Sequence, residues 1–416
     1  MRLVSKPMLA VTAGTLLALR LEVTAMAAEP PADSGDVAAS EPAPVEALEF
    51  GEPSPAAEPI PVPDPNEATD GRVRASLDGF GLESASGRFG LSLGLLGQVR
   101  YSVDHQDGDL DNAFSLRLAR TMLQGHMFGQ RLLFQLQPEF AGNVRLLDAN
   151  VTVNLHPAFS VLVGQYRPWF TRAFPTNLPL QAQLDRGAVL DAFRIDRDIG
   201  VTVLGQPFDG RLEYYVGVLN GEGLELSAPR SPQPLVTARV VANPLGPVAY
   251  DQTVASTTDR NLPLRLAIGA SAATNEVART GTMVDPMTGE ETIIMLPRLR
   301  TVTAGGELAL QWWRLVGLGE VFWRGDYFQD GGRGDAWGGY GTLSLNAVRK
   351  RFDVVARVGA MRLEGETSAH MPLEPGMNLY FAGNHAKLQL RYRCDLGLAD
   401  AACITQGVHL QGQFWF

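Results

Sequence analysis

The chain has 416 residues, 44 of them glycine, with 35 basic residues of which only three are lysine, and a formal charge of −10. No apolar run beyond the start of the chain approaches the roughly 18 residues of a membrane-spanning helix, and two cysteines are too few for a zinc site. Residues 1–87 carry 14 acidic and 5 basic side chains, leaving 31 acidic against 30 basic in the remainder. The folded part is therefore near neutral, its net charge names no partner, and no nucleic-acid partner is expected.

The amino terminus reads as a secretory signal over residues 1–27. Arg2 and Lys6 precede an apolar stretch from Met8 to Leu19, and Ala25-Met26-Ala27 has the small-x-small form of a cleavage site. Residues 28–87 follow as a disordered periplasmic linker. Its Pro, Ala and Glu composition, from 29 to about 72, holds too little apolar surface to fold.

From Phe89 onward the sequence alternates. In FGLSLGLLGQVRYSV, Phe89, Leu91, Leu93, Leu95, Val99, Tyr101 and Val103 share one face, while Ser92, Gln98, Arg100 and Ser102 share the other. Sixteen such segments are read, the first near 88–105 and the last near 405–416. The even-numbered connections are mostly tight, such as FGQ, HPA and AGN, the exception being about twenty residues around 244–262. Several odd ones are long, at 169–196, 276–297, 326–335 and 363–374. Short turns at one end and long loops at the other mark a transmembrane antiparallel β-barrel of the bacterial outer membrane, over residues 88–416. The carboxyl-terminal GVHLQGQFWF then closes the barrel against its first strand, and Phe414 and Phe416 enter a lower aromatic girdle with Trp312, Trp313, Tyr380 and Phe381. Cys394 and Cys403, with eight residues between them and in an oxidising compartment, are expected to be bridged.

If the apolar face meets lipid, the polar face lines a lumen. The second segment shifts phase, and a bulge near Leu118-Ala119 turns both Arg117 and Arg120 inward. The inward basic set is Arg100, Arg117, Arg120, Arg131, Arg211, Arg239, Arg265, Arg314, Arg324, Arg357, Lys387, Arg391 and Arg393. The acidic set is Glu139, Asp148, Asp198, Glu213, Glu307, Glu320 and Asp353. The excess of basic residues would concentrate anions in a low-dielectric channel. Any single arginine is as readily a filler paired with a neighbouring carboxylate as a functional group.

VGQYRPWFTRAFP (163–175) and DAFRIDRDIGVTVLGQ (191–206), with the hairpin MNLYFAGNHAKLQLRYR, resemble the phosphate-selective porins O and P over roughly 88–416. The resemblance implies a sixteen-stranded homotrimer whose third loop, 169–196 here, folds inward to narrow the pore. It places Arg167, Thr171 and Arg172 at the constriction, with Arg186, Arg194 and Arg197 nearby, and names small anions, phosphate first, as permeants. The family also lines its pore with lysines. This barrel has only Lys350 and Lys387, which weighs against strict phosphate selectivity more than against anion passage.

No cofactor is expected. Asp107, Asp109 and Asp111 have calcium-loop spacing but lack the glycine and glutamate of an EF-hand; bridging cations of neighbouring lipopolysaccharide is the alternative to a solvated loop. There is no HExxH pair, P-loop or G-x-S-x-G elbow. The competing readings are an outer-membrane barrel enzyme and a structural or tethering barrel.

Overall fold

The computed structural model describes residues 71–76, 79–106, 108–224, 233–284, 291–398 and 402–416. The expected signal and most of the expected linker lie outside them. A short hairpin, β1 (Arg72–Ser76) and β2 (Gly79–Glu83), precedes sixteen barrel strands. These are β3 (Gly90–Gln106), β4 (Asp109–Met127), β5 (Leu132–Glu139), β6 (Arg145–His156), β7 (Phe159–Tyr166), β8 (Asp198–Gly205), β9 (Leu212–Leu219) and β10 (Leu235–Ala242). They continue as β11 (Leu262–Val284), β12 (Glu291–Trp313), β13 (Leu315–Phe328), β14 (Arg333–Val348), β15 (Phe352–Arg362), β16 (His370–Tyr380), β17 (Ala386–Gly397) and β18 (Ala402–Trp415).

Each strand pairs antiparallel with the next, and β18 returns to β3 from Thr405↔Gln106 to Trp415↔Leu96. The last residue is paired too: Phe416 N–H donates to the Leu95 carbonyl at 3.0 Å, and Leu95 N–H to the Phe416 carbonyl. Closure leaves no sheet edge facing lipid, which is what allows strands to cross a membrane. Val99, Val163, Val218, Ile268, Leu308 and Leu410 are exposed on the outside, and Phe414, Trp312, Trp313 and Phe381 lie near the periplasmic turns.

Four expectations need correction. Residues 72–76 and 79–83, placed in the linker, form the β1–β2 pair, and β2 continues the β18 edge by pairing Phe80↔Leu93. The bulge in β4 falls at Arg117, because Gln98 pairs with Leu118 and Val99 with Leu116. Leu118 therefore points inward and is fully buried. Tyr380 also faces the lumen, where its hydroxyl donates to Asp353 at 2.8 Å; only Phe381 of that pair faces out. Finally, the expected loop 276–297 is largely ladder, paired out to Val284↔Glu291.

Cys394 and Cys403 are bridged, with Cα atoms 5.5 Å apart. Both lie on paired strands, Cys394 opposite Gln406 and Cys403 opposite Leu396, so the ladder already holds the loop's ends. Unreduced, unfolded protein should label with no thiol reagent. Reduction should leave the folded barrel's heat stability nearly unchanged, well short of the about 2–3 kcal/mol that loop closure gives a free chain.

Candidate functional site

Alternation decides which side chains reach the lumen. β3 contributes Gln98 and Arg100, β4 Arg117 and Arg120, β5 Gln137 and Glu139, β6 Asp148, β10 Arg239, β12 Glu307, and β17 Lys387, Gln389 and Arg391. All of these except Arg117 are buried as whole residues, although they belong to strands only one residue thick. Two connections that fold inward cover them.

The first is the third extracellular connection, 167–197, which contains the short helix α1 (Ala188–Phe193). Its Phe170, Phe174, Val189, Leu190 and Phe193 pack on Ala267, Ala273, Ala309, Phe322 and Ala336 of the β11–β14 wall. Small residues there make the room: a Cβ at Gly338 would lie 2.6 Å from the Phe193 ring and 3.0 Å from Val189. The second is the long periplasmic connection 243–261, with a single helical turn α2 (Val254–Thr257). It docks under the first. Gln252 N–H donates to the Leu180 carbonyl at 3.0 Å. Arg172 donates to the Val248 carbonyl at 2.6 Å and stands 4.0 Å over the Tyr250 ring. Ser256 reaches Asp353, and Thr253 contacts Asn384 at 3.0 Å.

The arginines form three groups. In the centre of the β3–β8 side, Arg120 pairs with Glu139 and Arg197 with Asp148 at 3.1 Å. Arg167 beside them donates to the carbonyls of Phe174 and Pro175. On the β9–β12 side, Arg239 grips Glu307 through two nitrogens at 2.7 and 2.9 Å, and Tyr250 donates to Glu213 at 2.6 Å. Towards the extracellular end, Arg100 and Arg117 converge on Asp185 of the inward loop, at 2.8 and 2.9 Å. Burial alone raises the pKa of a carboxyl, but the two guanidiniums outweigh it and hold Asp185 well below the usual range.

Above the central group lies a cavity of about 580 Å³, lined by Arg100, Arg117, Arg186, Arg194 and Arg393 with Asp104, Asp185 and Asp191. Below it a second cavity of about 250 Å³ opens towards the periplasmic turns past Ser92, Gln124, Gln135, Tyr166, Arg167 and Trp169. Arg120, Gln137, Glu139, Asp148 and Arg197 separate the two, each at most 2 % exposed. The arrangement can receive solutes at both mouths and presents them with a layer of paired charges between.

No family model matches the chain, and no curated protein matches it. Solved structures do. OmpT of Vibrio cholerae, an outer-membrane protein solved in a trimer form, superposes with a TM-score of 0.56 at 12 % identity, covering 78 % of this chain and 99 % of its own. An anion-selective porin from Comamonas acidovorans gives 0.54 at 13 %, covering 79 % and 100 %. The chain has the fold of an outer-membrane porin. Its closed sixteen-stranded barrel, apolar outside and polar within, belongs in the bacterial outer membrane.

Within this porin fold, Arg100, Arg120, Arg167, Arg172, Arg197 and Arg239 lie buried inside the barrel. Arg117 and Arg194 line the upper cavity. Arg117 and Arg120 do not share a site, since their partners are Asp185 and Glu139. Arg131 is a correction: it sits exposed in the turn that follows β4, beside Phe128 at φ 56°. Arg265 stays at the periplasmic end, bonded to the Leu245 carbonyl at 2.9 Å. Sequence reasoning missed Asp185 and Tyr250. The length of 243–261 among tight turns was the available signal for Tyr250; Asp185 had none.

Proposed function

We propose that the protein is a passive diffusion porin that passes small anions in preference to cations, with phosphate and related oxyanions among its permeants. The upper cavity carries this reading, because five arginines face it against three aspartates. A guanidinium keeps its charge at any physiological pH and offers a fork that matches oxyanions. The anion selectivity named for the Comamonas porin agrees with the reading.

The protein works as a homotrimer among outer-membrane lipid and lipopolysaccharide, after removal of residues 1–27. The acidic segment up to the β1–β2 hairpin acts as a periplasmic spacer. In a planar bilayer under a potassium chloride gradient, the zero-current potential should take the sign of anion excess. Added phosphate should reduce chloride conductance, because a held oxyanion blocks the path. Cation selectivity would overturn the reading, and anion selectivity without phosphate block would discard phosphate alone.

A further inference from the structure

We infer that Asp185 is a tethered internal anion: its carboxylate occupies the Arg100–Arg117 site at rest, and permeant anions advance by displacing it. The inference rests on the porin reading above and identifies the residue that sets that site's selectivity.

The carboxylate stands where a permeant would. Arg100 holds both of its oxygens, Nη1 to Oδ2 and Nη2 to Oδ1, each at 2.8 Å. Arg117 Nη2 adds a third bond to Oδ1 at 2.9 Å. This is the fork geometry by which guanidiniums take carboxylates and phosphates. The site does not depend on Asp185 for its shape. Gln411 on β18 accepts from Arg100 Nε at 3.0 Å and Nη2 at 2.8 Å, so the barrel wall itself aims this guanidinium.

Asp185 is also freer to leave than the carboxylates of the central layer. It sits on the inward loop, whereas Glu139 and Asp148 belong to strands. Its side chain is 26 % exposed, against 3 % and 0 % for those two. Its backbone is pinned independently, since the Asp185 carbonyl accepts from Arg357 at 2.8 Å. A side-chain rotation therefore clears the site without moving the loop. The space beside it is the upper cavity, where Arg186, Arg194 and Arg393 stand within the same lining. An ion pair open to water on one side is screened and exchanges readily, which a through-path requires and a buried pair denies.

The test compares purified wild type with Asp185→Asn and Asp185→Ser in planar bilayers, using chloride as carrier and inorganic phosphate as probe. Two variants, one isosteric and one smaller, keep the result independent of how either folds, and heat-modifiable migration reports folding. Both should shift the zero-current potential further towards anions and lower the half-blocking phosphate concentration roughly tenfold, the scale of one charge-assisted hydrogen bond. Asp185→Glu should restore wild-type values. In an Arg100→Gln, Arg117→Gln background, Asp185→Asn should add nothing. Folded variants with wild-type potential and block would overturn the inference while leaving the porin reading intact. A folded wild-type protein that conducts no ions would overturn both.

Discussion

Replacing residues 244–260 with a Gly-Ser linker of about eight residues, long enough to reach roughly 26 Å, is expected to raise single-channel conductance severalfold. The linker must have this reach because β11 begins at Leu262 while its pairing with β10 begins at Ile268. The barrel should close without the native segment, since its strands are joined by their own ladders. What the segment adds is occupancy of the lumen. Without it the Arg172–Val248 and Gln252–Leu180 bonds vanish, and the inward loop loses its floor. Asp353, now bonded by Ser256, and Asn384, now in contact with Thr253, would face water instead. Conductance rises with the open cross-section, so the change should appear in the single-channel step, with little shift in selectivity because the Arg100–Arg117 site lies elsewhere. A variant that folds and conducts like wild type would show that 243–261 fills space no ion uses.

The strands were legible because a half-buried strand writes its two environments directly into the sequence at a period of two. That rule has no access to register. The β4 bulge depends on which residue of β3 lies opposite, so the phase shift was visible but its position was one residue out. Arg131 and Tyr380 failed at strand ends, where a single turn residue decides whether a side chain is inside, outside or beyond the barrel. The inward loop was placed by resemblance, and its basic residues were found there. The loop's Asp185 was not, because it meets Arg100 of β3 across 85 residues of chain and nothing local marks the pair. The bland reading of a lumen arginine as a paired filler holds for Arg120, Arg197 and Arg239, each matched to a carboxylate on another strand or at a strand edge.

The largest loss of stability is expected from Asp148→Ala. Asp148 accepts from Arg197 Nε at 3.1 Å and Nη2 at 3.3 Å, and the two side chains are 0 % and 2 % exposed. Removing the carboxylate takes from the buried Arg197 guanidinium the acceptor of two of its hydrogen bonds, in the layer that also holds Arg120 and Arg167. Breaking a buried pair in this way costs about 3–5 kcal/mol, far more than the net worth of the pair itself. The contrast is Arg74–Glu83 on the periplasmic hairpin, 2.6 Å apart but with side chains 70 % and 31 % exposed. Solvent screening leaves such a pair about 0–1 kcal/mol, so Glu83→Ala should unfold with the wild type. The temperature at which the compact, heat-modifiable form is lost should fall clearly for Asp148→Ala and barely for Glu83→Ala. Equal temperatures would mean that water reaches Arg197 and solvates it. The layer between the two cavities would then be part of the open path, and the anion's passage would need no rearrangement there.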